Sequence, residues 1–353
     1  MKNLYLIGAG NRGKQILEIL PYGMIKGVMD SDINKIGTVY ESYIVQQFEI
    51  SVIKKNNFSR VFSFVDNEII NECIKENIDW YISKYEAAWG QQKNIFCNHE
   101  VSNAIIQNLL DKIKKDCRLK KNIKNEEYLD IFRNDFFSKY NEELVEIMKT
   151  NNLQEVSDKL NKLYSQIEDT NGLLLDEVFE NRVGLQLAEK IICNQVQIEN
   201  KTIKVLDIAC GHGELILKLV HQGIDAEGVD ISLDRVHYLA DRGVKVYNET
   251  AERTRLNCEE YDIVVCFECL EHVVNPILVV NEMARVLKEN GILLITVPYK
   301  KLCDCDTHVR LFDENNISSL LKKKFDVQNL ILIPYVWGDY YNNIFLIAKK
   351  RGE

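Results

Sequence analysis

The stretch VLDIACGHGE (205–214), followed by VDIS (229–232), decides the fold. An apolar run carries a carboxylate, Asp207, breaks into the small residues Ala209, Gly211 and Gly213, and then resumes with apolar residues at helical spacing. That pattern is strand, tight turn, helix. A second short apolar strand ends on Asp230. Small residues let the backbone pass close to a bound nucleoside, and an acid closing the second strand can accept both hydroxyls of a ribose. The competing explanation is that the glycines only let strand and helix pack.

Working outward, a helix over Leu187 to Cys193 precedes this unit, and alternation continues through Asp262 to Phe267, Ile277 to Leu287 and Gly291 to Val297. The end, Phe325 to Pro334 and Asn343 to Lys349, reads as two long strands joined by WGDYYN, forming an antiparallel edge. With YDIVVCFECLEHVVNP (261–276) and EMARVLKENGILLITVP (282–298) in register behind the first motif, residues 175–353 resemble the class I S-adenosylmethionine-dependent methyltransferases. The resemblance implies S-adenosyl-L-methionine as cofactor. It implies that Asp207 and Gly211 line the methionine part, that Asp230 and Ile231 hold ribose and adenine, and that Ala251 and Glu252 flank the adenine edge. Ala209, Gly213 and Glu268 complete the implied cofactor set, with Ala209 standing where the family has the first glycine of its turn.

Methyl transfer from a sulfonium needs in-line positioning and, for a hydroxyl acceptor, a base or metal that removes the proton. Glu268, Glu271 and His272 follow the fourth strand, and His308 lies in DCDTHVRLF (304–312). Glu271, His272 and His308 are the catalytic candidates. Together with Glu268 they also offer ligands to a hard divalent cation such as Mg2+. This E-x-x-E-H pattern with a later histidine is similar to that of ubiquinone-pathway O-methyltransferases and small-RNA terminal 2′-O-methyltransferases. Three readings stay open: metal ligands, a metal-free base at His272 or His308, and a helix cap with local hydrogen bonds. Cys266 and Cys269, with Cys303 and Cys305, have the count for zinc, but Cys266 sits in an apolar strand pattern, where a thiol is a small hydrophobe.

At the other end, Gly8, Gly10 and Gly13 form G-x-G-x-x-G between an apolar strand (3–8) and a helix (15–20), and Asp30 closes the next strand (24–30). This context suits a nucleotide phosphate, with Gly8, Gly10, Asn11, Arg12, Gly13 and Asp30 as substrate-binding candidates. Further strands are expected over 60–65 and 79–83, and a helix over 67–75, which makes a Rossmann-like parallel sheet over residues 1–95. This part is similar to the small domain that precedes the acyltransferase of bacterial sugar-modifying enzymes and binds a nucleotide-linked sugar. After Gly37 the likeness weakens, because TVYESYIVQQ replaces a second glycine-bearing turn. A nucleotide sugar, a nicotinamide dinucleotide, and a fold retained for packing or a homodimer remain the three readings of this domain. Residues 96–174 lack the alternation and carry apolar residues at helical intervals, such as Ile105, Ile106, Leu109, Leu110 and Ile113, so a helical connecting segment is expected. Its Lys112 to Lys124 run is read as a solvated helix face.

Composition bounds these readings. Forty-six per cent apolar and 27% charged residues with four prolines in 353 residues is globular usage. A formal charge of −9 supplies no global basic field for nucleic acid or anionic lipid. Ten cysteines, several inside apolar runs, fit reduced thiols in a cytosol. The apolar run in MKNLYLIGAGNRG is too short for a signal peptide, and no stretch of about 18 apolar residues marks a membrane span. The expectation is therefore an α/β cytoplasmic methyltransferase with two Rossmann-like open sheets. Its acceptor is a hydroxyl of a nucleotide-linked sugar or glycan precursor held by the N-terminal domain. The alternatives are a metal-assisted O-methyltransferase acting on RNA ends or a phenolic small molecule, and an N-terminal domain that serves only as an assembly scaffold.

Overall fold

A computed structural model describes chiefly residues 4–10, 24–55, 59–62, 80–82, 99–115, 182–199, 202–273, 275–299, 310–334 and 341–352, with single positions such as His308 between them. The expected helix 67–75, the segment 116–157, Asn11, Arg12, Cys303 and Cys305 lie outside the described residues. The chain divides into two units, one of residues 1–115, 180–187 and 334–341, the other of residues 116–179, 188–333 and 342–353.

The first unit carries strands β1 (Leu4–Ile7), β2 (Ile25–Asp30), β3 (Val39–Tyr40), β4 (Tyr43–Gln47), β5 (Ser59–Phe62) and β6 (Trp80–Ile82), with helices α1 (Ile50–Lys55) and α2 (His99–Lys115). The sheet order is β3-β4-β2-β1-β5-β6. β1 runs parallel to both β2 and β5, and β5 parallel to β6. Because β1 is central and covered on both faces, all four of its side chains are buried and its sequence is wholly apolar. TVYESYIVQQ, where the sequence likeness fades, folds as a tight hairpin: Glu41 and Ser42 take positive φ of 46° and 75°, and β4 adds to β2 in parallel.

The second unit holds α3 (Val183–Glu199, its first residues belonging to the first unit), β7 (Lys204–Ile208), α4 (Glu214–His221), β8 (Asp225–Asp230), α5 (Leu233–Ala240), β9 (Lys245–Asn248), β10 (Tyr261–Phe267), α6 (Pro276–Val286), β11 (Leu287–Pro298), α7 (Glu314–Leu321), β12 (Phe325–Pro334) and β13 (Tyr341–Lys350). The order is β12-β13-β11-β10-β7-β8-β9. β13, last in the chain, inserts antiparallel beside β11, and this is the strand arrangement of class I methyltransferases. Ile263, Val264, Val265 and Cys266 of β10 are fully buried at the centre.

The chain leaves β7 toward β8 and β9, then crosses to β10 on the other side of β7. The carboxyl ends of β7 and β10, paired at Asp207 and Val265, therefore flank a topological switch point. In open α/β sheets, ligands bind at such a point.

Candidate active site

Three residues of the turn after β7 adopt left-handed backbone: Ala209 at φ 60°, Gly211 at 59° and Gly213 at 75°. Their tasks differ. A Cβ on Gly213 would run into the Leu239 side chain of α5, whose Cδ1 would lie at 3.0 Å, so this glycine serves close helix packing. A Cβ on Gly211 would meet nothing within 4 Å, so its bareness leaves open space beside the turn. Ala209 bears an unfavourable conformation of about 1 kcal/mol. Glu268, at the end of β10, does the same at φ 49°, so strained backbone gathers at both ends of the switch point.

Asp230 fastens the turn to the second strand. One oxygen accepts from the Gly211 amide at 2.9 Å and the other from the Ser232 amide at 2.8 Å. Arg235 lies 3.9 Å away, and each oxygen keeps a second lone pair for a ligand. Burial pushes the Asp230 carboxyl up, against the pull of Arg235 and the two amides. Asp207 is pushed well above the usual carboxylate range by burial and then by the charges of Glu214 and Asp230. Asp207, Glu214 and Asp230 thus gather three carboxyl groups at this turn. Ile231 is half-buried, and its carbonyl accepts from the Asn248 side chain at 2.8 Å. Ala251 and Glu252, also half-buried, sit in the turn after β9, bracketed by a Thr250–Arg253 bridge.

Among the described residues, Glu271, His272 and His308 place one donor atom each within 4.8 Å of one another. Glu271 is fully buried, and its Oε1 is 3.9 Å from Nε2 of His272. The His272 and His308 rings meet edge to face at 4.6 Å between centroids. His308 Nδ1 is buried with no hydrogen-bond partner among the described residues. Burial, then His272, lowers His308 to a pKa of about 3, so its imidazole stays neutral and is a poor proton acceptor, while its nitrogen lone pair remains a metal ligand. Glu268 is not in this group, because Oε1 accepts from Asn343 Nδ2 of β13 at 2.7 Å. No sequence signal links these two, which lie 75 residues apart. Cys266 and Cys269 are free thiols in the apolar core, where the Cys269 thiol is pushed up by its hydrogen bond with Cys266 and by burial.

The first unit repeats the turn construction. Asp30 accepts from the Ala9 amide at 2.8 Å and the Asp32 amide at 2.9 Å, with Lys35 Nζ at 3.0 Å. Despite burial, these bonds hold its carboxyl below the ordinary value. Gly8 has φ 104°. A Cβ on Gly13 would press on the Gly8 carbonyl and stand 2.8 Å from the Tyr40 hydroxyl, whereas one on Gly10 would meet nothing within 4 Å. Tyr40, from the unanticipated hairpin, donates its hydroxyl to the Gly10 carbonyl. Lys35 and Tyr40 carried no signal in the sequence, because their roles follow from where β3 and β4 return.

Residues 181–330 match a family model described as a methyltransferase domain. The ubiquinone biosynthesis O-methyltransferase of Photobacterium profundum is 38% identical over 96 residues, which cover 25% of this chain and 40% of that protein. Its counterpart in Aliivibrio fischeri is 33% identical over 136 residues, 36% of this chain and 51% of that protein. The chain thus spans about half or less of these curated relatives. Among solved structures, the 1,6-didemethyltoxoflavin-N1-methyltransferase of Burkholderia thailandensis aligns at 17% identity and a TM-score of 0.46, covering 57% of this chain and 92% of that one. Residues 181–330 thus match a methyltransferase domain, within a unit whose seven-stranded sheet has the strand order of the class I S-adenosylmethionine-dependent methyltransferase fold, and another α/β unit precedes it in the chain.

Proposed function

We propose that the second unit transfers a methyl group from S-adenosylmethionine to an acceptor hydroxyl. The observation that carries this reading is the Ala209–Gly213 turn, left-handed at three positions, bare at Gly211 and set between Asp207 and Asp230. The residues present fit the cofactor: a Cβ-free space admits the methionyl part, and three acids favour a cationic centre. When bound, the cofactor supplies a methyl carbon on a sulfonium, whose departing sulfur takes the bonding pair as a neutral thioether. Asp207 and Glu214 stabilise the positive charge before transfer. Asp230 and Ile231 orient the nucleoside, with Ala251 and Glu252 at its adenine edge. His272 accepts the acceptor's proton as its oxygen bonds to carbon, and Glu271 orients that ring. Calorimetric titration with S-adenosylmethionine and S-adenosylhomocysteine tests the reading: saturable heat with both is expected, and absence of heat with both sinks it.

For the acceptor, we propose a nucleotide-linked sugar or glycan precursor held by the first unit. The division of labour among its glycines supports this: Gly8 for the turn, Gly13 for packing, and Gly10 for room beside the backbone where a pyrophosphate would lie. Thermal shifts with uridine and thymidine diphosphate sugars check it, and a chain that none of them stabilises has no such site.

A metal-assisted version is favoured by one observation, the Glu271, His272 and His308 group. In it these residues hold a divalent ion, which would polarise the acceptor oxygen. Two imidazoles and one carboxylate suit manganese or zinc better than Mg2+, which prefers oxygen ligands. Loss of activity on dialysis against a chelator, restored by one of these ions, supports this version; full activity after removal excludes it.

A further inference from the structure

We infer that Glu282 is a positioning residue that fixes the loop 249–256 beside Asp230, and so sets how the adenine end of the cofactor is gripped; the inference rests on the cofactor reading above. The loop starts on the backbone of the second strand: the Glu249 amide donates to the Asp230 carbonyl at 3.2 Å, and the Asn248 side chain donates to the carbonyls of Asp230 and Ile231. Its far end is tied to α6. Glu282 Oε1 accepts from the Thr254 amide at 2.8 Å and from the Thr254 hydroxyl at 2.5 Å. Arg285 donates to both oxygens of Glu282, at 2.6 and 2.9 Å, and reaches on to the Leu256 carbonyl at 2.7 Å. Within the loop, Glu249 accepts from the Arg255 amide at 2.6 Å. Ala251 and Glu252 are thus the tip of a segment fastened at each end.

Stability alone does not account for this pair. Glu282 is 6% exposed on a helix whose neighbouring residues Val279, Val280 and Met283 enter the apolar core. Arg285 is about one third exposed, and a partly exposed ion pair adds little to stability. What Glu282 provides that an apolar residue does not is a fixed direction for the amide and hydroxyl of Thr254.

The test uses the full chain and calorimetric titration with S-adenosylhomocysteine and with its hypoxanthine analogue, below the thermal transition of every variant. Native protein is expected to prefer the adenine form. Glu282→Ala should weaken binding of S-adenosylhomocysteine about tenfold and reduce that preference, and amide exchange at Thr254 and Leu256 should quicken. Glu282→Gln keeps an oxygen for Thr254 and should recover most of the affinity. Should Glu282→Ala fail to fold, Thr254→Val removes the hydroxyl's bonds to Glu282, Arg285 and the Leu256 amide but keeps the Thr254 amide bond to Glu282, and should cost about threefold. Variants that melt earlier yet bind with native affinity and preference overturn the proposal while leaving the cofactor reading intact. No heat from the native protein overturns both.

Discussion

Gly211→Ala and Gly213→Ala should fail in opposite ways, although both glycines are left-handed, at φ 59° and 75°. Each alanine incurs about 1–2 kcal/mol for a left-handed Cβ, partly offset by lower entropy of the unfolded chain. Gly211→Ala meets nothing further, so its stability loss stays near 1 kcal/mol. Its methyl group, however, fills the open space next to Asp230, and affinity for S-adenosylhomocysteine should fall at least about tenfold, or 1.4 kcal/mol. Gly213→Ala drives its methyl into Leu239 and adds an overpacking cost of about 1–3 kcal/mol. In a unit of this size, that extra cost should lower the melting temperature by several degrees relative to Gly211→Ala, at about 2–4 °C per kcal/mol. Urea unfolding gives the stabilities, and calorimetry below the transition gives the affinities. A third protein, Gly213→Ala with Leu239→Ala, should lose at least about 1 kcal/mol less than the sum of its parts, because truncation removes the clash. Equal stability losses for the two glycines, with affinity unmoved in both, would refute the assignment of one to the ligand and the other to packing.

Glu227 is buried, yet hydrogen bonds from Lys204, Lys245 and Tyr261 overcome burial and lower its pKa to about 2. A depressed carboxylate stabilises the fold above its unfolded value, so on the order of 2–3 kcal/mol should be lost as pH falls from about 4.5 toward 2; Glu227→Gln should flatten that limb of the stability-pH curve. Asp207 is shifted the other way, so binding a cationic cofactor should favour its ionised form and release protons. Binding heats for S-adenosylmethionine that depend on the buffer's ionisation enthalpy would confirm this, and heats identical across buffers would count against it. His272→Ala should lower turnover while cofactor affinity stays within about twofold, since the ring serves the acceptor's proton; parallel loss of both would make it a structural histidine. Gly10→Val should abolish any stabilisation of the native chain by a nucleotide sugar while leaving titration with S-adenosylhomocysteine as it was.

The sequence by itself determined the elements that local chemistry decides. β7, β8 and β10 are read from apolar runs that close on Asp207, Asp230 and Glu268 in turn, because strands buried on both faces must be apolar and ligand edges must be polar. The glycine turns were legible because glycine adopts φ near 60° without the cost that a Cβ brings. The two-residue strand β3, on the exposed edge of its sheet, left too little pattern to read, and the turn at Glu41 and Ser42 lacks the glycine that would announce it. Tertiary structure decided which polar groups meet. It drew Glu268 to Asn343 and away from the Glu271, His272 and His308 group, closed Tyr40 on Gly10, and tied Thr254 to Glu282. Each of these contacts joins residues far apart in the chain, and their separation is fixed by strand order and helix packing. Motif spacing carries no record of that geometry, so the sequence can name the donors of a site but not which of them share it.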